Sequence, residues 1–93
     1  MAYNKDFGVD LGSENTFICK KNKGIIVNEP SVIAVDSVSD RVIAIGREAK
    51  QMIGRVPSTI EVEYTIQDGV ISSFEKTGLL LSEFIKAHNV GFG

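Results

Sequence analysis

The chain has 93 residues, which is enough for one small domain or for one piece of a larger one. Hydrophobic residues make up 43% and charged residues 24% of the chain, a composition that is too apolar for a disordered protein. The 12 acidic and 10 basic residues leave a net charge of -2, which argues against a surface built to neutralise nucleic-acid phosphates.

The N-terminal part of the chain is predicted to form an antiparallel meander. Residues 6–11 alternate apolar with polar or small side chains, which is the period-two pattern of a half-buried strand. Short turns rich in glycine and asparagine join this run to two further strand-like runs, at 16–20 and 25–27. Pro30 then interrupts the ladder of backbone hydrogen bonds, because proline has no backbone donor.

The middle of the chain is predicted to form a hairpin, a short helix and a further strand. Residues 31–36 and 41–45 flank a short polar loop, as in a hairpin. Residues 48–52 favour a short helix, which a glycine and then a proline end. Residues 60–66 alternate like a strand, and an Asp-Gly turn follows at 68–69.

A second helix is predicted near the C-terminal end. Ser72 and Glu75 have the spacing of a capping box, in which the hydroxyl and the carboxylate each satisfy an exposed backbone donor. The apolar residues that follow recur near helical spacing and predict one buried stripe: Phe74, Leu80, Leu81, Phe84 and Ile85.

The segment 10–16, DLGSENT, carries the clearest chemical signal. A tight hairpin of glycine and small polar residues exposes backbone N–H groups at its tip, and such a nest of donors can cradle a phosphate. Asp10 ends the incoming strand and can hold a divalent cation through its water shell. The same residues also suit a simple hairpin turn for conformational reasons alone. A Walker loop is excluded, because no Gly-Lys-Ser/Thr follows.

The segment DLGSENT resembles the first phosphate loop of the ATPase superfamily that includes actin, the sugar kinases and the heat-shock chaperones. Later segments narrow the resemblance to the MreB family, the bacterial actin homologues that direct rod cell shape. These segments are GIIVNEPSVIAV at 24–35, IGREAKQMIGRVP at 45–57 and DGVISSF at 68–74. The likeness runs from about residue 6 to residue 87 and so covers nearly the whole chain.

The resemblance implies an α/β fold, the N-terminal part of an actin-like (ribonuclease H-like) ATPase domain. That part comprises an antiparallel meander, a small α/β insert and one long helix. Residues 1–31 would form the phosphate-loop meander and residues 32–66 the small outer subdomain. Residues 67–93 would return to the inner subdomain with the helix.

The resemblance also implies an ATP-binding cytoskeletal protein that forms membrane-associated filaments controlling cell shape and wall synthesis. Asp10 corresponds to the family's aspartate that holds Mg²⁺ through water. The loop around the β- and γ-phosphates of ATP corresponds to Gly12, Ser13, Glu14, Asn15 and Thr16.

The family's loop usually reads DLGTANT, so Ser13 is a conservative change and Glu14 is not. If the Glu14 carboxylate points inward, like-charge repulsion should weaken nucleotide binding. If it points to solvent, we expect little effect.

ATP hydrolysis in this superfamily needs two phosphate loops, an adenosine-binding segment and a residue that positions the attacking water. The 93 residues carry one such loop. We therefore expect the chain to be an N-terminal fragment of an MreB-type protein and to be inactive as an ATPase alone.

Two other classes of function stay open. One is a piece of a heat-shock-chaperone or sugar-kinase type of ATPase, since these share the DLG loop; the segments at 28–31 and 46–55 argue against it. The other is a non-enzymatic, truncated module that interacts with filaments without binding nucleotide, and Glu14 is the residue that bears on this alternative.

The implied partners are other filament protomers, the inner membrane surface and wall-synthesis proteins, with no nucleic acid. The chain has no run of roughly 18 apolar residues and no N-terminal secretory signal. A cytoplasmic location is therefore expected. The resemblance implies association with the membrane, for which Val90 and Phe92 are a candidate apolar loop.

Three further positions have mainly structural interpretations. Cys19, the single cysteine, cannot form an internal disulfide and is expected to be a small buried or half-buried strand residue. His88 follows the second helix and is expected to interact with its C-terminal carbonyls. Residues 28–31 are expected to form a turn defined by proline.

Overall fold

The computed structural model describes residues 2–3 and 7–88. Its elements in chain order are β1 Ala2–Tyr3, β2 Phe7–Leu11, β3 Asn15–Lys20, β4 Gly24–Pro30, β5 Val32–Asp36, β6 Val42–Ile45, α1 Gly46–Gln51, β7 Ile60–Tyr64, β8 Ile66–Gln67, β9 Val70–Ile71 and α2 Phe74–Ala87. The predicted Val90 and Phe92 loop lies outside the described residues. Within the described part, neither helix offers an apolar stretch of bilayer length.

The first sheet is an antiparallel meander in the order β1-β2-β3-β4, which confirms the predicted strands and adds β1. Val9 lies opposite Ile18, which lies opposite Val27, so these three side chains share one face and form part of the core. Strand β4 is longer than predicted and includes Pro30. It is an edge strand of the described sheet, where a missing N–H costs no ladder hydrogen bond.

The second sheet has the order β6-β5-β7, with β5 in the centre. Four consecutive residues of β5, 32–35, are buried because the strand is covered on both faces. Ile33 and Val35 pack with Ile18, Val27 and the second helix, whereas alternate β5 residues pack against the short helix α1. The two faces of β5 therefore contribute to two different small cores, one on each side of the second sheet.

Helix α2 begins one residue later than the capping-box spacing predicts. The N-cap is Ser73, whose hydroxyl oxygen accepts a hydrogen bond from the Lys76 amide at 3.2 Å. The Ser72 hydroxyl instead donates to the Thr65 carbonyl at 2.9 Å. The predicted capping box of Ser72 and Glu75 is therefore wrong, because tertiary contacts take up the Ser72 side chain.

The buried face of α2 also differs from the predicted stripe. Thr77, Leu80 and Phe84 are the buried positions, whereas Phe74 is 81% exposed. Phe74 is the first residue of the helix and precedes the first buried position, Thr77. Leu81 and Ile85 are half-buried at the edges of the buried face.

The small hairpin of β8 and β9 holds the predicted Asp-Gly turn. Asp68 and Gly69 both have positive φ angles, 53° and 77°, which is the conformation of a tight two-residue hairpin turn. The Thr65 amide, just before the hairpin, donates to the Ser31 carbonyl at 2.9 Å. That bond ties the chain after the second sheet to the end of the first.

Cys19 is exposed, so the prediction of a buried or half-buried residue is wrong. Its neighbour Ile18 faces the core, and side chains alternate between the two faces of a strand. The register also shifts between Ile18 and Cys19, which leaves the thiol on the outer face.

Candidate functional site

The loop between β2 and β3 is a tight hairpin. The Gly12 amide donates to the Asn15 carbonyl at 3.0 Å, which closes the turn around Ser13 and Glu14. A Cβ atom at Gly12 would lie 2.8 Å from the Asn15 carbonyl oxygen, so a side chain there would force the turn open. The Gly12 amide is therefore committed to the turn.

Ser31, beyond the end of β4, fixes the hairpin from inside the protein. Its hydroxyl donates to the Gly12 carbonyl at 2.8 Å, and its amide donates to the Glu14 carbonyl at 2.8 Å. The Thr16 hydroxyl lies 2.7 Å from the Ser31 hydroxyl oxygen. Because the single Ser31 hydroxyl hydrogen goes to Gly12, Thr16 is the donor in this pair. Two loop carbonyls are thus held toward the protein interior.

The tip of the hairpin keeps its backbone donors. Among the described residues, no hydrogen bond uses the amide of Ser13 or of Glu14. The Ser13 hydroxyl oxygen accepts a hydrogen bond from the Gly69 amide at 2.8 Å, which leaves its own hydrogen for another acceptor. The Glu14 side chain is exposed. The tip therefore presents two amides, one hydroxyl and one carboxylate.

The other two predicted loop residues face different surroundings. Asn15 donates from its side-chain amide to the Asn28 side-chain oxygen at 2.7 Å, on the outer face of the sheet. Thr16 is fully buried, and its hydroxyl is paired with Ser31. The structure thus places Ser13 and Glu14 at the tip. Gly12, Asn15 and Thr16 flank the tip and are held by hydrogen bonds within the protein.

Asp10 is exposed near the end of β2, two residues before Gly12. It lies opposite Phe17 in the register, so its side chain is on the face away from Val9 and the core. Among the described residues, Asp10 makes no ion pair. A single open carboxylate suits Mg²⁺, which keeps several waters and is rarely held by protein ligands alone.

Glu29 has a role that the proline-turn interpretation missed. One carboxylate oxygen accepts a hydrogen bond from the Arg47 amide at 3.0 Å, and the other lies 2.9 Å from Nε2 of His88. Glu29 therefore joins β4 to the start of α1 and the end of α2. The clue in the sequence was a carboxylate beside a proline at a strand end, and its partners are 18 and 59 residues away.

Comparison with protein families gives one match over nearly the whole chain. The model described as MreB/Mbl protein matches residues 4–91. The chain is 48% identical over 86 residues to the cell shape-determining protein Mbl of Bacillus subtilis (strain 168), covering 92% of this chain and 26% of that protein. It is 43% identical over 90 residues to the cell shape-determining protein MreB of Escherichia coli (strain K12), covering 90% and 25%.

Two solved structures with a similar fold are of MreB5 from Spiroplasma citri. MreB5 bound to ADP superposes with a TM-score of 0.79 and 28% identity, covering 90% of this chain and 26% of that one. MreB5 bound to AMPPNP superposes with a TM-score of 0.78 and 30% identity, covering 85% and 24%. The chain thus spans about a quarter of the length of the curated relatives it matches. On the family match and the shared actin-like fold, the chain belongs to the MreB/Mbl family.

Proposed function

We propose that the tip of the β2–β3 hairpin binds the phosphates of ATP. The observation that carries the proposal is the orientation of the loop. Ser31 holds the carbonyls of Gly12 and Glu14 toward the interior, and the amides of Ser13 and Glu14 take part in no hydrogen bond among the described residues. Free backbone amides at a tight turn are a common phosphate cradle.

The predicted loop residues divide into two roles under this proposal. The amides of Ser13 and Glu14 and the hydroxyl of Ser13 donate to phosphate oxygens. Gly12, Asn15 and Thr16 keep the turn closed and anchored, through the hydrogen bonds described above. Similar structures bound to ADP and to AMPPNP support a nucleotide as the ligand.

We propose that Asp10 holds Mg²⁺ through bound water beside these phosphates. Its exposed carboxylate, without an ion-pair partner among the described residues, fits an ion that retains its hydration shell. When bound, Mg²⁺ would neutralise part of the phosphate charge.

For the protein to which this chain corresponds, we propose an MreB-like role as a cytoskeletal protein. Its protomers would form filaments at the inner membrane surface, in the cytoplasm, and would organise wall synthesis and cell shape. The similarity to proteins named as cell shape-determining supports this role. The domain division at 1–31, 32–66 and 67–93 is part of the same proposal, since the first sheet ends at Pro30 and the second spans residues 32–64.

The experiment is a titration of the ¹⁵N-labelled chain with ATP and Mg²⁺, followed through the backbone amides. Hydrogen bonds to charged groups contribute about 1.5–3 kcal/mol each, offset by the entropy of association. We therefore expect millimolar binding, with the largest shifts at residues 12–16 and at Gly69. Tripolyphosphate should reproduce these shifts, and adenosine should not.

A matched pair of variants tests the site itself. Ser13→Ala removes the hydroxyl donor and should weaken binding. Ser37→Ala removes an exposed hydroxyl in the distant β5–β6 loop that donates to the Thr59 carbonyl, so it should leave binding unchanged. If tripolyphosphate shifts no amide at the tip, the nucleotide proposal fails. A module that contacts filaments without nucleotide would then be the better description.

A further inference from the structure

A groove of about 480 Å³ lies between strand β6 and the C-terminal part of helix α2. Four consecutive residues of β6, 42–45, line one side, and α2 contributes Glu83, Lys86 and Ala87 to the other. The volume is in the range typical of ligand sites. None of the hairpin residues 10–16 lines the groove, so it is separate from the phosphate site.

The side of the groove formed by β6 is the edge of a sheet. The order β6-β5-β7 means that, in the part of the chain that the structure describes, β6 pairs with β5 alone. Residues of both faces of β6 line the groove, because side chains alternate along a strand. The groove therefore gives access to the backbone edge of β6. An exposed edge of unpaired N–H and C=O groups is a template for one more strand.

The chemistry of the groove favours a strand with alternating apolar and basic side chains. Ile43 is 44% exposed and offers an apolar contact. The polar rim contains three carboxylates against one lysine and one histidine. Glu83 pairs with Lys86 at 3.5 Å and Glu29 with His88 at 2.9 Å. Glu48 is exposed and, among the described residues, forms no ion pair, so it is the uncompensated charge.

We propose that this groove binds an extended basic peptide, which adds to β6 as a further strand. Main-chain hydrogen bonds to the β6 edge would supply affinity. An apolar side chain would rest on Ile43, and a lysine or arginine would pair with Glu48. The proposal concerns a protein partner and does not depend on whether the hairpin binds nucleotide.

The test uses the 93-residue chain and a capped hexapeptide of alternating valine and lysine. Titration should shift the amides of residues 42–45 and 83–87. A peptide with glutamate in place of lysine should bind more weakly. A peptide with a central proline should also bind more weakly, since it lacks a strand donor.

Charge reversal at the groove supplies the sharper comparison. Glu48→Lys should lower the affinity for the lysine peptide about fivefold and raise the affinity for the glutamate peptide, because it reverses the charge of one residue in a surface ion pair. Glu75→Lys is the matched control, since Glu75 is also an exposed glutamate in the first turn of a helix and lies outside the groove. It should change neither affinity.

Three results would overturn the proposal. The first is that the shifts fall outside the residues that line the groove, on β6, at Glu48 and at the C-terminal part of α2. The second is that Glu75→Lys acts as strongly as Glu48→Lys. The third is that the β6 amides shift with protein concentration in the absence of peptide, which would make a second copy of the chain the occupant.

Discussion

At the scale of single residues, Ser31 and Glu14 determine what the hairpin can do. Ser31 reaches the loop with both its amide and its hydroxyl and is fully buried. Glu14 is at the tip and exposed, where it sets one negative charge beside the proposed phosphates. Ser31 stabilises the conformation of the loop, whereas Glu14 adds a negative charge at its tip.

Replacing Ser31 by alanine should destabilise the protein by about 1–3 kcal/mol, because the buried Thr16 hydroxyl loses its partner. Urea unfolding followed by circular dichroism measures the change. The control Ser37→Ala, at an exposed hydroxyl, should stay within about 0.5 kcal/mol of the parent. Equal losses in the two variants would mean that the Ser31 bridge contributes nothing specific.

Replacing Glu14 by alanine restores the residue usual in the family's loop. Repulsion between two like unit charges about 4 Å apart costs roughly 1 kcal/mol in water, which corresponds to a loss of about fivefold in affinity. Because the Glu14 side chain is exposed, we expect Glu14→Ala to tighten binding of tripolyphosphate by no more than this fivefold, with a smaller gain at high salt. An unchanged affinity at low salt would show that the carboxylate stays clear of the phosphates.

At the scale of the elements, two side chains connect helices to sheets. Glu29 joins β4 to α1 and α2, and Lys76 joins the first turn of α2 to β7. Neither connection is local in sequence. Lys76 pairs with Glu61 at 3.0 Å and with Glu63 at 3.3 Å.

The Glu29 connection requires a glycine at position 46. Gly46 has a φ of 63°, and a Cβ atom there would collide with the Glu29 carboxylate. Gly46→Ala should cost at least the 1–2 kcal/mol that a left-handed conformation imposes on a residue with a side chain, by a rough estimate. In a Glu29→Ala background, part of that cost should disappear. A double-mutant cycle measures the coupling, and strictly additive losses would contradict the contact.

The Lys76 connection gives a defined dependence on pH. The hydrogen bond to Glu61, aided by Glu63, raises the pKa of Lys76 above its ordinary value. Its stabilising contribution is therefore complete below the unfolded pKa of about 10.4 and is lost as the pH rises through the folded value. In Lys76→Met, we expect a smaller fall in unfolding free energy between neutral and strongly alkaline pH. A parallel fall in both proteins would argue against the network.

At the scale of the whole molecule, helix α2 makes the two larger sheets interdependent. Phe84 and Leu80 are fully buried and pack with Ile18 of the first sheet and with Ile33 of the second. The hairpin and the groove therefore belong to one packed body, although they occupy different surfaces.

Removing the Phe84 ring should destabilise both of these sheets together. Phe84→Ala deletes a fully buried aromatic side chain, which typically costs about 3–5 kcal/mol. Phe74→Ala, on the same helix but at an 81% exposed position, should cost no more than about 0.5 kcal/mol. Hydrogen exchange should accelerate in both sheets of the Phe84 variant. Acceleration in one sheet alone would show that the sheets unfold separately.

The predictions from sequence succeeded where a local pattern decides the structure. Alternation in residues 6–11 and 60–66 predicted strands, because a half-buried strand needs a period of two. The Asp-Gly turn at 68–69 formed as expected, since both residues accept positive φ angles. The motif DLGSENT placed a tight turn after the first strand for the same kind of reason.

The predictions failed where contacts outside the local pattern decide the surroundings of a side chain. Ser72 has the right spacing for an N-cap, but the Thr65 carbonyl takes its hydroxyl and Ser73 caps the helix. Phe74 is apolar, but it is the first residue of α2 and precedes the first buried position, Thr77, and its ring is 81% exposed.

The amino-acid sequence by itself determined the strands, the turns, the actin-like fold class and the family, because periodicity, turn chemistry and motif order are written along the chain. Only the tertiary structure decided which donors stay free at the hairpin tip and which groups Glu29 joins. Those outcomes depend on contacts such as Ser31 with Gly12 and Glu29 with His88, between residues 19 and 59 positions apart. Packing creates such contacts, and no local pattern encodes them.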